Sequence, residues 1–172
     1  MKIIGLAGWS GAGKTTLMAK LLPVLIARGL SISTIKHAHH AFDVDTPGKD
    51  SFVHRQAGAR EVLVASATRF ALMAEHRGAA EPELPDLLAR LAPVDLVMVE
   101  GFKRHAHPKI EVFRAALGKP MLWPGDTTIV AVASDQAVAG CDRAMIGLDD
   151  VEAIADCVVA QAGWYCDYSP CA

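Results

Sequence analysis

The chain has 172 residues, 17 basic and 19 acidic, for a formal net charge of −2, and 52% of it is hydrophobic. That balance excludes a global electrostatic pull toward nucleic acid or an anionic membrane surface, and no apolar run approaches the roughly 20 residues that cross a bilayer. At this length one domain is expected, over residues 1–163, with a tail of unassigned role at 164–172.

The opening Met1-Lys2-Ile3-Ile4-Gly5-Leu6-Ala7 is a short apolar run of strand type that leaves no room for a signal peptide. It leads into Gly8-Trp9-Ser10-Gly11-Ala12-Gly13-Lys14-Thr15-Thr16, which reads G-x-x-x-x-G-K-T, a P-loop. A helix over about 14–28 follows, with Leu17, Leu21 and Leu25 on one face, a weak point at Pro23, and a stop at Gly29. Residues 31–36 are β-branched and alternate as a second strand. A loop rich in His, Asp, Pro and Gly runs to Ser51, where Asp50 or Ser51 caps a short helix ending near Gly58.

Two strands, at 61–65 and 69–74, read as a hairpin through Ser66-Ala67-Thr68. A helix over 84–91 starts among Pro82 and Pro85, and a buried strand follows at 94–101. Further strands are expected at 109–114, 128–133 and 143–146, and a last helix opens at Asp149 or Asp150 and reaches about Ala162. Strands and helices alternate. The expected fold is therefore α/β, a P-loop three-layer sandwich whose mostly parallel sheet is joined by an antiparallel hairpin. The four cysteines, Cys141, Cys157, Cys166 and Cys171, give no disulfide framework, and the last two are a poor zinc spacing. A reduced, cytoplasmic setting is expected.

The P-loop carries the chemistry. Glycines let successive backbone N–H groups turn toward a polyphosphate, and the helix N-terminus adds its dipole. Gly8, Ser10, Gly11, Ala12, Gly13, Lys14, Thr15 and Thr16 are the candidate nucleotide contacts. Lys14 is placed for the β- and γ-phosphates, Thr15 for Mg²⁺ and Thr16 for the α-phosphate. The chemistry also needs an acid near the metal, at the end of a neighbouring strand. Glu100 ends the strand Leu96-Val97-Met98-Val99-Glu100, whereas Asp95 stands at the wrong end. Of the loop acids Asp43 and Asp45, Asp45 is preferred as a second metal ligand, because Pro47-Gly48 fixes its turn. Lys14, Glu100 and Asp45 are thus the catalytic candidates.

Histidines cluster at His37, His39 and His40 and again at His105 and His107, open to a transition metal, to an anionic ligand or partner, or to plain polar surface. The guanine signature N-K-x-D is absent, but Ser134-Asp135 ends the strand over 128–133 and offers a carboxylate to guanine N1–H and N2–H₂.

The stretches Gly8 to Thr16, Lys36-His37 with His39-His40 and Phe42-Asp43-Val44-Asp45-Thr46-Pro47-Gly48-Lys49-Asp50-Ser51, Arg55-Gln56-Ala57-Gly58-Ala59, and Asp95 to Lys103 together resemble the MobB family, the molybdopterin-guanine dinucleotide biosynthesis protein B family. The resemblance covers most of residues 1–135. It implies a homodimeric GTP-binding protein with Mg²⁺ and weak GTPase activity. It also implies an accessory role to a MobA-type guanylyltransferase that attaches GMP to molybdopterin, with molybdopterin itself as a further candidate ligand. A P-loop small-molecule kinase or a nucleotide-dependent metal chaperone is the alternative. A kinase calls for an arginine-bearing lid, and Arg77 and Arg90 are isolated; a chaperone calls for a cysteine metal motif, which is missing near the histidines.

Overall fold

The computed structural model describes residues 1–38 and 42–165, and the chain divides into two units, Met1–His37 with Leu84–Ala172, and Ala38–Glu83. The first unit is built on a parallel sheet. Its strands are β1 (Lys2–Ala7), β2 (Ile32–Lys36), β5 (Leu96–Glu100), β6 (Lys109–Phe113), β7 (Ile129–Ser134) and β8 (Ala144–Gly147), in the order β2-β5-β1-β6-β7-β8. Every pairing along that path is parallel. The strand ends that follow Ala7, Lys36, Glu100, Phe113 and Ser134 therefore face one edge, where the P-loop begins.

Alternation along the strands splits the core in two, as expected of strands covered on both faces. Ile4, Leu6, Met98, Ile110, Val112, Ala131 and Ala133 pack on one face with Leu17, Met18, Leu21 and Leu25 of α1 (Lys14–Ala27) and with Ile154, Ala155 and Val158 of α4 (Val151–Gln161). Ile3, Ile35, Val97 and Val99 pack on the other with Leu84 and Leu88 of α3 (Leu84–Leu88) and with Phe102. Helix α1 continues past Pro23 to Ala27, and Arg28 at its end pairs with Glu152 and Asp156 of α4 at 2.6 and 2.8 Å. Asp150 caps α4 by accepting from the Ala153 N–H at 3.0 Å. Ser31 and Asp95 exchange hydrogen bonds where β2 and β5 start, so Asp95 serves strand register at the edge away from the P-loop.

The face away from α1 also buries charge. Lys109 and Glu111 are each 1% exposed. The Lys109 ammonium is bonded by Asp126 at 2.9 Å and by the Thr128 hydroxyl. Burial works against the Asp126 carboxylate, but bonds from Thr128 and Lys109 outweigh it and hold its pKa below the usual range. Glu111 accepts from the backbone N–H groups of Leu122 and Trp123 at 2.7 and 2.9 Å, while burial pushes its own pKa up. Strand β6 thus clamps the segment that leads into β7.

The second unit pairs β3 (Glu61–Ala65) with β4 (Phe70–Ala74) as an antiparallel hairpin and carries α2 (Asp50–Gln56). One further strand, β9 (Gly163–Trp164), runs antiparallel to β1 at Lys2 and Ile3, in the stretch that the sequence leaves without a pattern. None of the described helices is long and apolar enough to cross a membrane.

Candidate functional site

The P-loop leaves β1 at Gly8. Its φ is +144°, and a Cβ there would stand 2.5 Å from the Val112 carbonyl oxygen, so only glycine lets the chain turn this close to β6. Ser10 and Gly11 are exposed at the turn, Ala12 is buried, and Gly13 leads into α1. The Lys14 ammonium folds back over the loop and donates to the carbonyls of Gly8 and Trp9 at 3.0 and 2.9 Å. Burial lowers its pKa from the usual lysine value; Glu100 opposes that shift, and the charges of Lys103 and Lys36 add to it. Thr16 lines a small cleft with Gly13, Lys20, Arg114, Leu148 and Asp149.

Glu100 ends β5, in register with Leu6 of β1 on one side and Lys36 of β2 on the other. Its Oε1 accepts from the Thr15 hydroxyl at 2.8 Å, and its side chain is 12% exposed. Two of the three groups assigned to the metal from sequence, Thr15 and Glu100, are thus together, and both are hard oxygen donors. Mg²⁺ is held by few protein oxygens and keeps several waters, so Thr15 and Glu100 fit it.

Asp45 belongs to the second unit. Its Oδ1 accepts from Thr46 N–H at 3.0 Å and from the Ser51 hydroxyl at 2.8 Å, and its Oδ2 lies 3.4 Å from Arg55 Nε. Arg55 also pairs with Asp43 at 2.6 Å and Glu75 at 2.9 Å. The bond from Arg55 draws the Asp43 carboxyl below its usual range. The acidic loop is therefore folded on one arginine that its sequence spacing does not reveal.

Asp135 follows β7. Its Oδ1 accepts from Ala115 N–H at 3.3 Å and its Oδ2 is 3.7 Å from Arg114 Nη1. Arg114 in turn donates through Nε to the Ala12 carbonyl at 3.2 Å. Asp135 is thereby tied to the P-loop through Arg114, a residue the sequence does not single out. Lys103, the last residue of the Asp95 to Lys103 stretch, also reaches the loop. Its ammonium lies 4.7 Å from the centroid of the Trp9 ring, whose N–H donates to the Pro120 carbonyl at 2.7 Å.

The His37 ring packs on Phe102 at 4.7 Å between centroids, and Phe102 meets His105 edge-on at 5.1 Å. Gly101 makes this possible: at φ +101° it has no Cβ, and one would stand 2.7 Å from His37 Cβ. His107 is 1% exposed, and neither ring nitrogen has a hydrogen-bond partner among the described residues. Burial, with smaller help from Lys109, lowers its pKa to about 4. His39 and His40 lie outside the described residues. Among the described residues no three His, Cys, Asp or Glu side chains gather as a metal site, and Cys141 and Cys157 are free thiols.

The family model of MobB, molybdopterin guanine dinucleotide synthesis protein B, matches residues 3–135. The chain belongs to the MobB family. The match begins in β1 and reaches Asp135, so it takes in every residue singled out above at the P-loop edge except Leu148 and Asp149.

Relatives extend the similarity beyond the matched span. The molybdopterin-guanine dinucleotide biosynthesis adapter protein of Escherichia coli K12 is 46% identical over 160 residues, 91% of each chain. The protein of that name from Haemophilus influenzae is 41% identical, over 90% of this chain and 85% of its own. The solved structure of a molybdopterin-guanine biosynthesis protein B (mobB) superposes with a TM-score of 0.72 at 28% identity, covering 92% of this chain and 98% of its own. Bacillus subtilis MobB superposes at 0.74 with 23% identity, over 95% and 99% of the two chains, a likeness of fold. Together they confirm the α/β expectation for this MobB-family chain, a mostly parallel sheet with a small antiparallel one.

Proposed function

We propose that this MobB-family protein binds GTP with Mg²⁺ at the loop Gly8 to Thr16. It would hydrolyse GTP slowly and serve, as a homodimer, a MobA-type guanylyltransferase that attaches GMP to molybdopterin. The observation that carries the nucleotide reading is electrostatic. Lys14, Lys36 and Lys103 bring three ammonium charges to a loop whose facing carboxylate is Glu100 alone among the groups acting on Lys14. Such an excess of cations suits a polyanion.

In this reading Lys14 leaves the Gly8 and Trp9 carbonyls for phosphate oxygens, and the loop N–H groups orient the phosphate chain. Thr15 and Glu100 hold the metal, which neutralises charge on the phosphates when bound. Thr16 faces the α-phosphate, and Asp135, held by Arg114 and Ala115, takes the guanine edge. The adapter role rests on the names of relatives at 46% and 41% identity along most of the chain.

The test is equilibrium binding of GTP, ATP and molybdopterin to the pure protein, with and without Mg²⁺, followed by guanine dinucleotide formation with the guanylyltransferase added. Tight Mg-dependent GTP binding and a faster partner reaction are expected; failure to bind any triphosphate would refute the nucleotide reading.

A further inference from the structure

The position that the nucleotide reading gives to the metal already faces a cation. Lys36 is the last residue of β2 and the register partner of Glu100. Its Nζ lies 3.3 Å from Thr15 Oγ1 and 3.5 Å from Glu100 Oε1. Thr15 Oγ1 donates to that same Oε1 at 2.8 Å. One ammonium therefore sits against both oxygens that fit Mg²⁺.

An ordinary surface lysine–glutamate pair contributes little. This one differs in two respects. Its acid is 12% exposed, and its third partner is the hydroxyl of the P-loop threonine. The lysine side chain itself is 59% exposed. Lysine is a compact point charge on a flexible stem, so the ammonium can swing out to water without breaking the core. It cannot stay, because a divalent ion on those two oxygens would be met by a like charge at contact distance, which is strongly repulsive in a partly buried site.

We propose that Lys36 is a tethered cation that holds the metal position of the P-loop when Mg²⁺ is absent and is displaced from it when Mg²⁺ enters. The inference rests on the triphosphate reading of the loop. Without metal, the Lys36 charge keeps Glu100 neutralised, so an approaching γ-phosphate does not meet a bare carboxylate. With metal, that duty passes to the ion, and Lys36 becomes dispensable for affinity. Lys36 is thus a positioning residue for the metal site.

The experiment is equilibrium dialysis of labelled GTP against the wild-type protein, Lys36→Met and Lys36→Arg, first in EDTA and then across a Mg²⁺ titration. Lys36→Met is expected to bind GTP about tenfold more weakly in EDTA, the size of one charge-assisted contact. It should approach wild-type affinity within about twofold at saturating Mg²⁺ and reach half-effect at severalfold lower Mg²⁺. Lys36→Arg, which keeps the charge, should retain the metal-free affinity. Equal Mg²⁺ half-saturation and equal EDTA affinity in wild type and Lys36→Met would overturn this inference alone. Absence of GTP binding by all three proteins, with and without metal, would overturn the triphosphate reading and this inference with it.

Discussion

Replacing Glu100 with Gln separates the two duties that the site asks of one residue. The amide keeps the shape and still offers Thr15 an oxygen to donate to, at the 2.8 Å now occupied by the carboxylate. What is lost is the charge. A hydrogen bond to a charged group contributes about 1.5–3 kcal/mol, and losing an interaction of that size at the metal is about ten- to a hundredfold in the Mg²⁺ needed for half-maximal effect. Phosphate affinity should move the other way. Lys14, Lys36 and Lys103 all act on the same loop, and Glu100 is the charge that opposes them there. Without it, the three ammonium groups face the triphosphate without the carboxylate that opposes them at Lys14, so GTP in EDTA should bind at least as tightly as to wild type. The assay is GTP binding and turnover measured against Mg²⁺ concentration. A Glu100→Gln curve that overlays wild type in both would refute the assignment of the metal to Glu100.

Three further outcomes follow from the same geometry. Lys14→Ala should abolish measurable triphosphate binding and leave the thermal melt within a few degrees of wild type, because among the described residues its ammonium bonds loop carbonyls alone; calorimetry of GTP binding checks it. Wild type should prefer GTP to ATP by about ten- to a hundredfold, the cost of leaving a carboxylate unpaired against adenine, and Asp135→Ala should lose that preference in competition binding. His107, neutral in the fold with a pKa of about 4 against 6.5 when free, takes up a proton on unfolding. Its contribution is therefore full above pH 6.5 and is lost as pH falls from 6.5 toward 4, by at most about 3 kcal/mol at 1.36 kcal/mol per unit. Urea midpoints across that window should fall more steeply for wild type than for His107→Gln, and parallel curves would remove the effect.

The elements of this fold were legible wherever one local signal decided them. The β-branched run at Ile32–Lys36, the apolar run at Leu96–Glu100 and the hairpin at Glu61–Ala65 and Phe70–Ala74 announce themselves by composition, and their ends fall within two residues of the expected bounds. Pro23 lies inside α1, which runs on to Ala27 with Leu21 and Leu25 packed in the core on either side of it. Strand β9 is two residues long and owes its existence to Lys2 and Ile3 at the other end of the chain, so no window around Trp164 could announce it. Lys109 and Glu111 carry a signal of a different kind. Two charges two apart in an otherwise apolar parallel strand demand buried partners, and Asp126, Thr128 and the N–H groups of Leu122 and Trp123 supply them.

The site divides along the same line. Gly8 to Thr16 is local, so sequence alone assembles it. The charges around it are not, because Lys36, Glu100, Lys103 and Arg114 come from three different strand ends. What reads in the sequence as two separate signatures, Lys36-His37 and Glu100-Gly101-Phe102-Lys103, is one wall in the structure. Strands β2 and β5 lie side by side from Ile32 and Leu96 to Lys36 and Glu100. The His37 N–H donates to the Glu100 carbonyl at 2.8 Å, Gly101 clears the space that His37 fills, and Phe102 stacks on the imidazole. His37 therefore ties the end of β2 to the end of β5 beside Lys36 and Glu100. The sequence lists these residues 64 apart; sheet order makes them adjacent, and with that adjacency a cation comes to stand where the metal would.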